Sequence, residues 1–381
     1  MSGLDRRQFL KLTGGTGAIT LSGLAGCTGG PTGDESTTTT TTTESGGEET
    51  TTEQTTAADE TTYVGMVYAT GGLGDGSFND QAQSGLKDAV GDYDVEYNEA
   101  QPEEVSDFKN YQQQFAQSTS PDYDLVSSIG YLQADALSQT APQYPDQKFM
   151  IVDSAVGEPN VASYVFKEHE GSYLVGKLAG LLTTMEFSAG AGSTKPDEKS
   201  VGFVGGVKGD LIKKFEAGYR AGVKSADDAI EVQSTYVGSF NDPSGGKEAA
   251  LAMYNGGADV VYHASGNTGT GVFQAAQEKG TFAIGVDRDQ SVTKDSYKDV
   301  ILASMVKRVD TAVYTAIEEI VEGTFEGGST STLGLSDDGV AVAYGQQLGA
   351  EIPSDVKDAI AADREAIIGG DITVPTDPAN V

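Results

Sequence analysis

Residues 71–85 read Gly71-Gly72-Leu73-Gly74-Asp75-Gly76-Ser77-Phe78-Asn79-Asp80-Gln81-Ala82-Gln83-Ser84-Gly85, shortly after the apolar run Tyr63-Val64-Gly65-Met66-Val67-Tyr68. A β-rich run, a glycine-dense loop and then the helical spacing of Ala82, Leu86, Ala89 and Val90 predict strand, loop and helix, the opening of an α/β unit. In open α/β sheets ligands lie beyond the carboxyl ends of the strands, and glycines let the backbone approach them closely. The core of this loop, residues 76–80, recurs letter for letter as Gly238-Ser239-Phe240-Asn241-Asp242, again behind a β-rich run at residues 232–237. Two copies in two halves predict two facing lobes.

The rest of the chain continues the alternation. Strand patterns fall at residues 93–97, 124–129, 148–153 and 161–166, with helical patterns at 105–117, 133–140 and 172–182. A polar insertion at 188–199 separates this series from a second one. There, strands are expected at 200–204, 232–237, 258–263, 282–286, 300–303, 340–344 and a final 372–374, and helices at 211–223, 247–254, from 272 onward, 309–322 and 354–362. Such βαβ series imply mostly parallel sheets.

The 381 residues suffice for two domains with real cores. Acids number 57 against 24 bases, for a net charge of −33. Nine of the acids and three of the bases precede Tyr63, so the body itself carries −27. A surface this acidic disfavours nucleic acid and anionic ligands as partners and suits a protein held soluble in concentrated salt, a halophile, an acidic mesophilic protein being the other reading. Cys27 is the only cysteine, and His169 and His263 are the only histidines. Disulfides within the chain are therefore impossible, and a His/Cys metal centre is not expected.

Residues 1–27 read as a targeting segment. Asp5-Arg6-Arg7-Gln8-Phe9-Leu10-Lys11 resembles a twin-arginine export signal, with Asp5 where Ser or Thr is more usual. The apolar stretch at 12–24 falls short of the roughly 20 residues of a spanning helix. It runs into Leu24-Ala25-Gly26-Cys27, the pattern of a lipoprotein signal in which Cys27 is lipidated. An uncleaved anchor is the other reading. Residues 28–62, with unbroken threonine at 37–43, offer almost nothing apolar to bury and are expected to form a disordered stalk. A flexible coil of about 35 residues spans on the order of 30–35 Å.

Several apparent motifs carry no chemistry. Residues 266–271 are spaced GxxGxG rather than GxGxxG, residues 245–248 lack the Ser or Thr of a phosphate loop, and no GxSxG elbow is present. His169 stands among charges and reads as exposed, and His263 ends a buried strand as a packed or capping residue. What remains are polar groups at strand ends, Asp153, Asp287, Asn79 and Lys307, with Phe78 and Phe240 on opposing loops. Each acid singly also reads as a helix cap or a solvated turn. Taken together, two phenylalanines can sandwich a flat ring, and carboxylates accept hydrogen bonds from the hydroxyls of a neutral sugar. A flat ring with a neutral sugar is a nucleoside.

The body from about Tyr63 to Pro375 resembles the basic membrane protein family of ABC-transporter substrate-binding lipoproteins, which includes purine nucleoside receptors. The residues that carry the resemblance are the stretch 71–79, Phe166 followed by Glu170-Gly171-Ser172, Gly205-Gly206 with Phe215-Glu216-Ala217-Gly218-Tyr219, Gly257-Ala258-Asp259-Val260, Gly285-Val286-Asp287, and Lys307 followed by Asp310. The resemblance implies a type I periplasmic-binding-protein fold, with two doubly wound parallel-sheet lobes joined by a multi-segment hinge. An N-terminal lobe of residues 63–166 plus about 289–322 and a C-terminal lobe of 167–288 plus about 323–381 are expected. It further implies base stacking on Phe78 and Phe240, with other contacts from Asn79, Asp153, Gly266, Asp287 and Lys307. The implied role is that of a receptor, not an enzyme, without cofactor or metal, anchored by lipid outside the membrane and serving an ABC permease and its ATPase. Many relatives carry an aspartate nine positions before the first aromatic, and Ala69 stands there here. A sensory binding lipoprotein would share the same pocket, and an extracellular nucleoside hydrolase would use Asp153 or Asp287 as base.

Overall fold

Runs such as Phe149–Val152 and Val260–Ala264 are buried at every position, the signature of parallel strands covered on both faces. The computed structural model describes residues 61–381. The export signal, the lipidation site Cys27 and the threonine-rich stalk lie outside the described residues, apart from the last two residues assigned to the stalk.

The chain first lays down β1 (Thr62–Val67), α1 (Phe78–Asp92), β2 (Val95–Ala100), α2 (Phe108–Ala116), β3 (Leu125–Ile129), α3 (Ala134–Thr140), β4 (Phe149–Val152) and β5 (Val161–Phe166). It then forms α4 (Glu168–Thr183), a small hairpin of β6 (Ser188–Ala189) and β7 (Gly192–Ser193), β8 (Ser200–Gly205), α5 (Asp210–Ala226), β9 (Glu231–Tyr236), α6 (Pro243–Asn255), β10 (Val260–Ala264), α7 (Gly269–Lys279), β11 (Phe282–Asp287) and β12 (Ile301–Lys307). Last come α8 (Val309–Val321), β13 (Thr330–Leu333), β14 (Val340–Tyr344) and α9 (Ser354–Gly369).

Two six-stranded sheets result, ordered β13-β5-β4-β3-β1-β2 and β14-β12-β11-β10-β8-β9. All pairings within them are parallel except β12 with β14. Each sheet is doubly wound, and strand order reverses between β1 and β3 in one and between β8 and β10 in the other. Such switch points open a crevice beyond the strand ends.

The partition into lobes differs from the expected one in two pieces. Residues 301–307, assigned from sequence to the N-terminal lobe, form β12 and pair with β11 in the second sheet. Residues 330–333, assigned to the C-terminal lobe, form β13 and pair with β5 in the first. The chain crosses after β12 rather than before it, and the Thr-Ser-Thr-Leu edge strand, largely exposed, carries no apolar signature to announce itself. Residues 372–374 form no strand, and helix α4 starts at Glu168, four residues earlier than its apolar pattern suggests.

Three crossings join the lobes, at Lys167, at Arg308 and at residues 334–339. The first two share nearly one backbone geometry, with Lys167 at φ −93°, ψ 64° and Arg308 at φ −83°, ψ 59°. Lys167 N donates to Leu333 O at 2.9 Å, and Arg308 N donates to Gly339 O at 2.9 Å, so the crossings form one hydrogen-bonded hinge.

Helices α4 and α5 pack backbone to backbone. A Cβ at Gly222 would lie 2.0 Å from the Tyr173 carbonyl oxygen, and one at Gly176 would lie 2.2 Å from that of Tyr219. This contact fixes α5, whose first turn faces the cleft. Replacing Gly222 by valine is expected to destabilise the protein by about 1–3 kcal/mol or more in chemical denaturation, because backbone cannot yield as a side chain does. Gly91→Ala, at a helical site where an added Cβ meets nothing within 4 Å, is expected to be neutral or stabilising by up to about 1 kcal/mol.

Candidate functional site

The parallel strands of both sheets deliver their carboxyl ends to one cleft. Asp153 follows β4 and Asp287 ends β11, the fourth strand of each lobe's series. Both adopt left-handed backbone, at φ 70° and φ 65°. Aspartate tolerates this region better than most residues, but such positions store on the order of 1–3 kcal/mol and cluster at binding sites.

The loop 71–80 is built by its own acids. The Asp75 carboxylate accepts from the backbone N–H groups of Ser77 at 2.8 Å and Asn79 at 2.9 Å, and Asp80 accepts from those of Gly74 at 2.7 Å and Gly76 at 2.8 Å. Asn79 Oδ1 accepts from Ala69 N at 2.9 Å, while its Nδ2 donates to Gly72 O and to Asp75. Both amide protons are thus consumed in bracing the loop, leaving one lone pair for anything else. The loop also clasps the opposite lobe. Ser77 Oγ donates to Asp287 Oδ2 at 2.5 Å, and Thr293 Oγ1 donates to Gly76 O at 2.8 Å.

Between the lobes lies a cleft lined by all seven residues singled out from sequence: Phe78, Asn79, Asp153, Phe240, Gly266, Asp287 and Lys307. Ala69 lines it too, so no carboxylate projects from that position. The Phe240 ring rests on Gly206, where an added Cβ would fall 2.4 Å from it. The Lys307 ammonium lies 4.9 Å from the centroid of the Phe78 ring, within cation–π range.

The repeated pentapeptide turns out not to be a structural repeat. Phe78 opens helix α1 after the first strand of its lobe, whereas Phe240 lies in the loop after β9, the second strand of the other, with Asp242 capping α6 by accepting from Gly245 N. The two copies nevertheless lie on loops that reach the same cavity.

Sequence reading missed Tyr131 and the apolar floor of Leu211, Ile212 and Phe215, all lining the cavity. The Tyr131 ring stands edge-on to Phe240, centroids 6.4 Å apart at 86°, and so bridges the lobes. Its buried hydroxyl has no partner, and burial together with Asp153 pushes its pKa up to about 12. Its position directly after Gly130, at the β3 end of the switch point, was the available signal.

Electrostatics centre on Lys307, only 2% exposed. Its Nζ donates to Asp153 Oδ2 at 2.6 Å and lies 3.8 Å from Glu168 Oε1. Burial alone would lower this lysine, but Asp153, Glu168 and Asp287 outweigh it and hold its pKa above the ordinary value. Burial pushes Asp287 up to about 6 against the pull of Lys307 and the Ser77 hydroxyl. Asp153 Oδ1 is buried without a hydrogen-bond partner, an acceptor in want of a donor. His169, read as exposed, is half-buried, and burial pulls its pKa down to about 4. His263 is fully buried, with Nε2 2.8 Å from Gln290 Oε1.

The model of the PnrA-like ABC-transporter substrate-binding protein family, Bmp, matches residues 62–377. The chain is 38% identical over 334 residues to the CD4+ T-cell-stimulating antigen of Listeria monocytogenes, covering 83% of this chain and 88% of that one. It is 35% identical over 331 residues to the ABC transporter nucleoside-binding protein BmpA of Lactococcus lactis, covering 82% and 88%. Among solved structures, an ABC transporter solute-binding protein of Aeropyrum pernix superposes with a TM-score of 0.72 at 29% identity, covering 83% of this chain and 94% of that one. The fold, the cleft and these likenesses agree, and the chain belongs to the Bmp family of PnrA-like ABC-transporter substrate-binding proteins.

Proposed function

We propose that the protein is a lipid-anchored receptor outside the cell membrane that closes on a nucleoside-like ligand and hands it to an ABC permease and its ATPase. The observation that carries this reading is the convergence of aromatic rings and carboxylates from opposite lobes on one cavity. Phe78 and Phe240 offer faces for a planar base. Asp153, with a free buried acceptor, and Asp287 suit sugar hydroxyls. A phosphate would bring further negative charge against these acids, with Lys307 already paired with Asp153 and Glu168. The name of the Lactococcus relative, a nucleoside-binding protein, points the same way. The lipid anchor rests on Cys27 and the residues before it.

Hinge motion between lobes accounts for capture and release. The clasp from Ser77 and Thr293 forms only when the lobes meet, so ligand binding and closure reinforce each other.

Titration calorimetry with a panel of nucleosides tests the reading. Phe78→Ala is expected to weaken nucleoside binding by about 1–3 kcal/mol, the worth of one stacked base. Unchanged affinity would remove the stacking role. A nucleoside lacking a sugar hydroxyl that faces Asp153 is expected to bind about 1.5–3 kcal/mol more weakly, the range for hydrogen bonds to charged groups, and Asp153→Asn should shrink that difference. Equal binding of the two nucleosides by the unmodified protein would place the sugar elsewhere.

A further inference from the structure

Among the described residues, buried side-chain polar atoms without a hydrogen-bond partner occur in both lobes, but only two residues that carry one also line the cleft: Tyr131, through its hydroxyl, and Asp153, through Oδ1. The pairing of Ile129 with Val152 brings the ends of β3 and β4 abreast, so Asp153 comes next to Gly130, and Tyr131 follows one residue on. The chain turns at both places, with φ 111° at Gly130 and φ 70° at Asp153. The Tyr131 ring is then held from across the cleft. It stands edge-on to Phe240, and a Cβ at Gly209, the residue before α5, would lie 3.5 Å from its hydroxyl oxygen. Asp153 is held as well, because its other oxygen accepts from Lys307 Nζ at 2.6 Å. Two placed polar atoms thus share one cleft, and neither bonds the other.

Their chemistry is complementary. An ionised carboxylate oxygen can only accept, whereas a phenol donates. The Tyr131 phenol keeps its proton at neutral pH, since burial first and Asp153 second push its pKa up to about 12. Each atom has given up its hydration without return until something bonds it. A single group that completes both must donate to Asp153 and accept from Tyr131. A carbonyl or ether oxygen cannot donate and an ammonium cannot accept, but an alcohol does both. We propose that Tyr131 is a specificity-determining residue of the receptor, donating to the same ligand hydroxyl that itself donates to Asp153 Oδ1. This rests on the reading of the cleft as a nucleoside-like site, and it names the group selected there: a free alcohol, in preference to hydrogen, an ether or an ammonium. Because the Tyr131 hydroxyl has no partner within the protein, deleting it should leave the ligand-free fold unharmed, which separates a binding role from a structural one.

The test compares the mature protein with Tyr131→Phe, which keeps the ring against Phe240 and removes one oxygen. Scanning calorimetry of the ligand-free proteins reads stability. Titration calorimetry reads affinity for adenosine, for its 2′-, 3′- and 5′-deoxy analogues and for D-ribose. Tyr131→Phe is expected to melt no lower than the unmodified protein, yet to bind adenosine about three- to tenfold more weakly, the loss of one hydrogen bond. One deoxy analogue should bind the unmodified protein more weakly than adenosine does and lose little further in Tyr131→Phe, whereas the other two should lose as adenosine does. Equal affinity of the two proteins for adenosine, as when water alone completes both atoms, would overturn the proposal. So would an equal loss with adenosine and every analogue, which would set the phenol against another part of the ligand and leave the nucleoside reading intact. Binding of D-ribose that Tyr131→Phe weakens, with no binding of adenosine, would uphold the shared hydroxyl while refuting the nucleoside reading. No binding by any of these probes would overturn both.

Discussion

A lysine ammonium withdrawn from water must be compensated locally or it will neutralise or unfold its surroundings. Lys307 meets that demand by drawing in carboxylates from both lobes: Asp153 from the N-terminal lobe, Asp287 from the C-terminal lobe and Glu168 from the crossing between them. Because β12 ends at Lys307 and the chain passes to the other lobe one residue later, the same side chain belongs to the hinge and to the cavity. Asp153 is the one of these acids that reaches Lys307 from the opposite lobe. Separation would leave the ammonium with Glu168 and Asp287 of its own side and take Asp153 away from it.

This constraint orders the remaining features. Left-handed backbone at Asp153 and Asp287 aims both acids over the strand ends. The loop of residues 71–80 is stiffened by its own acids and carries Phe78 on the first turn of α1, so the ring is positioned by a helix rather than by a free loop. Opposite it, the glycine contacts between α4 and α5 bring Leu211, Ile212 and Phe215 up as an apolar floor. Rigid walls and a polar seam at the hinge suit the proposed closure by rotation of one lobe on the other.

Much of this was legible in the chain. Buried apolar runs such as Phe149–Val152 announce parallel strands, and the acids that follow them announce the binding edge. The seven residues read as ligand contacts share one cavity because strand ends in a doubly wound sheet must. Other features were hidden for physical reasons. Which sheet a strand joins depends on long-range pairing, and so Ile301–Lys307 and Thr330–Leu333 were assigned to the wrong lobes. Tyr131 is marked in sequence only by the glycine before it, and its place in the cleft follows from the turn at Gly130. Glu168 sits in a run of charged residues that looks solvated, and only the packing of α4 against α5 and β12 buries it. The recurrence of residues 76–80 at 238–242 marks two loops on one cavity through unequal structural positions.

The central claim is that one planar ring and its hydroxyl-bearing partner occupy the space between the lobes. A crystal structure of the protein with the ligand it carries from its own cells addresses this most directly. The account predicts a nucleoside-like molecule whose ring lies between the side chains of Phe78 and Phe240, with a hydroxyl within hydrogen-bond distance of Asp153. A ligand without a planar ring, or one seated away from both phenylalanines, would contradict it.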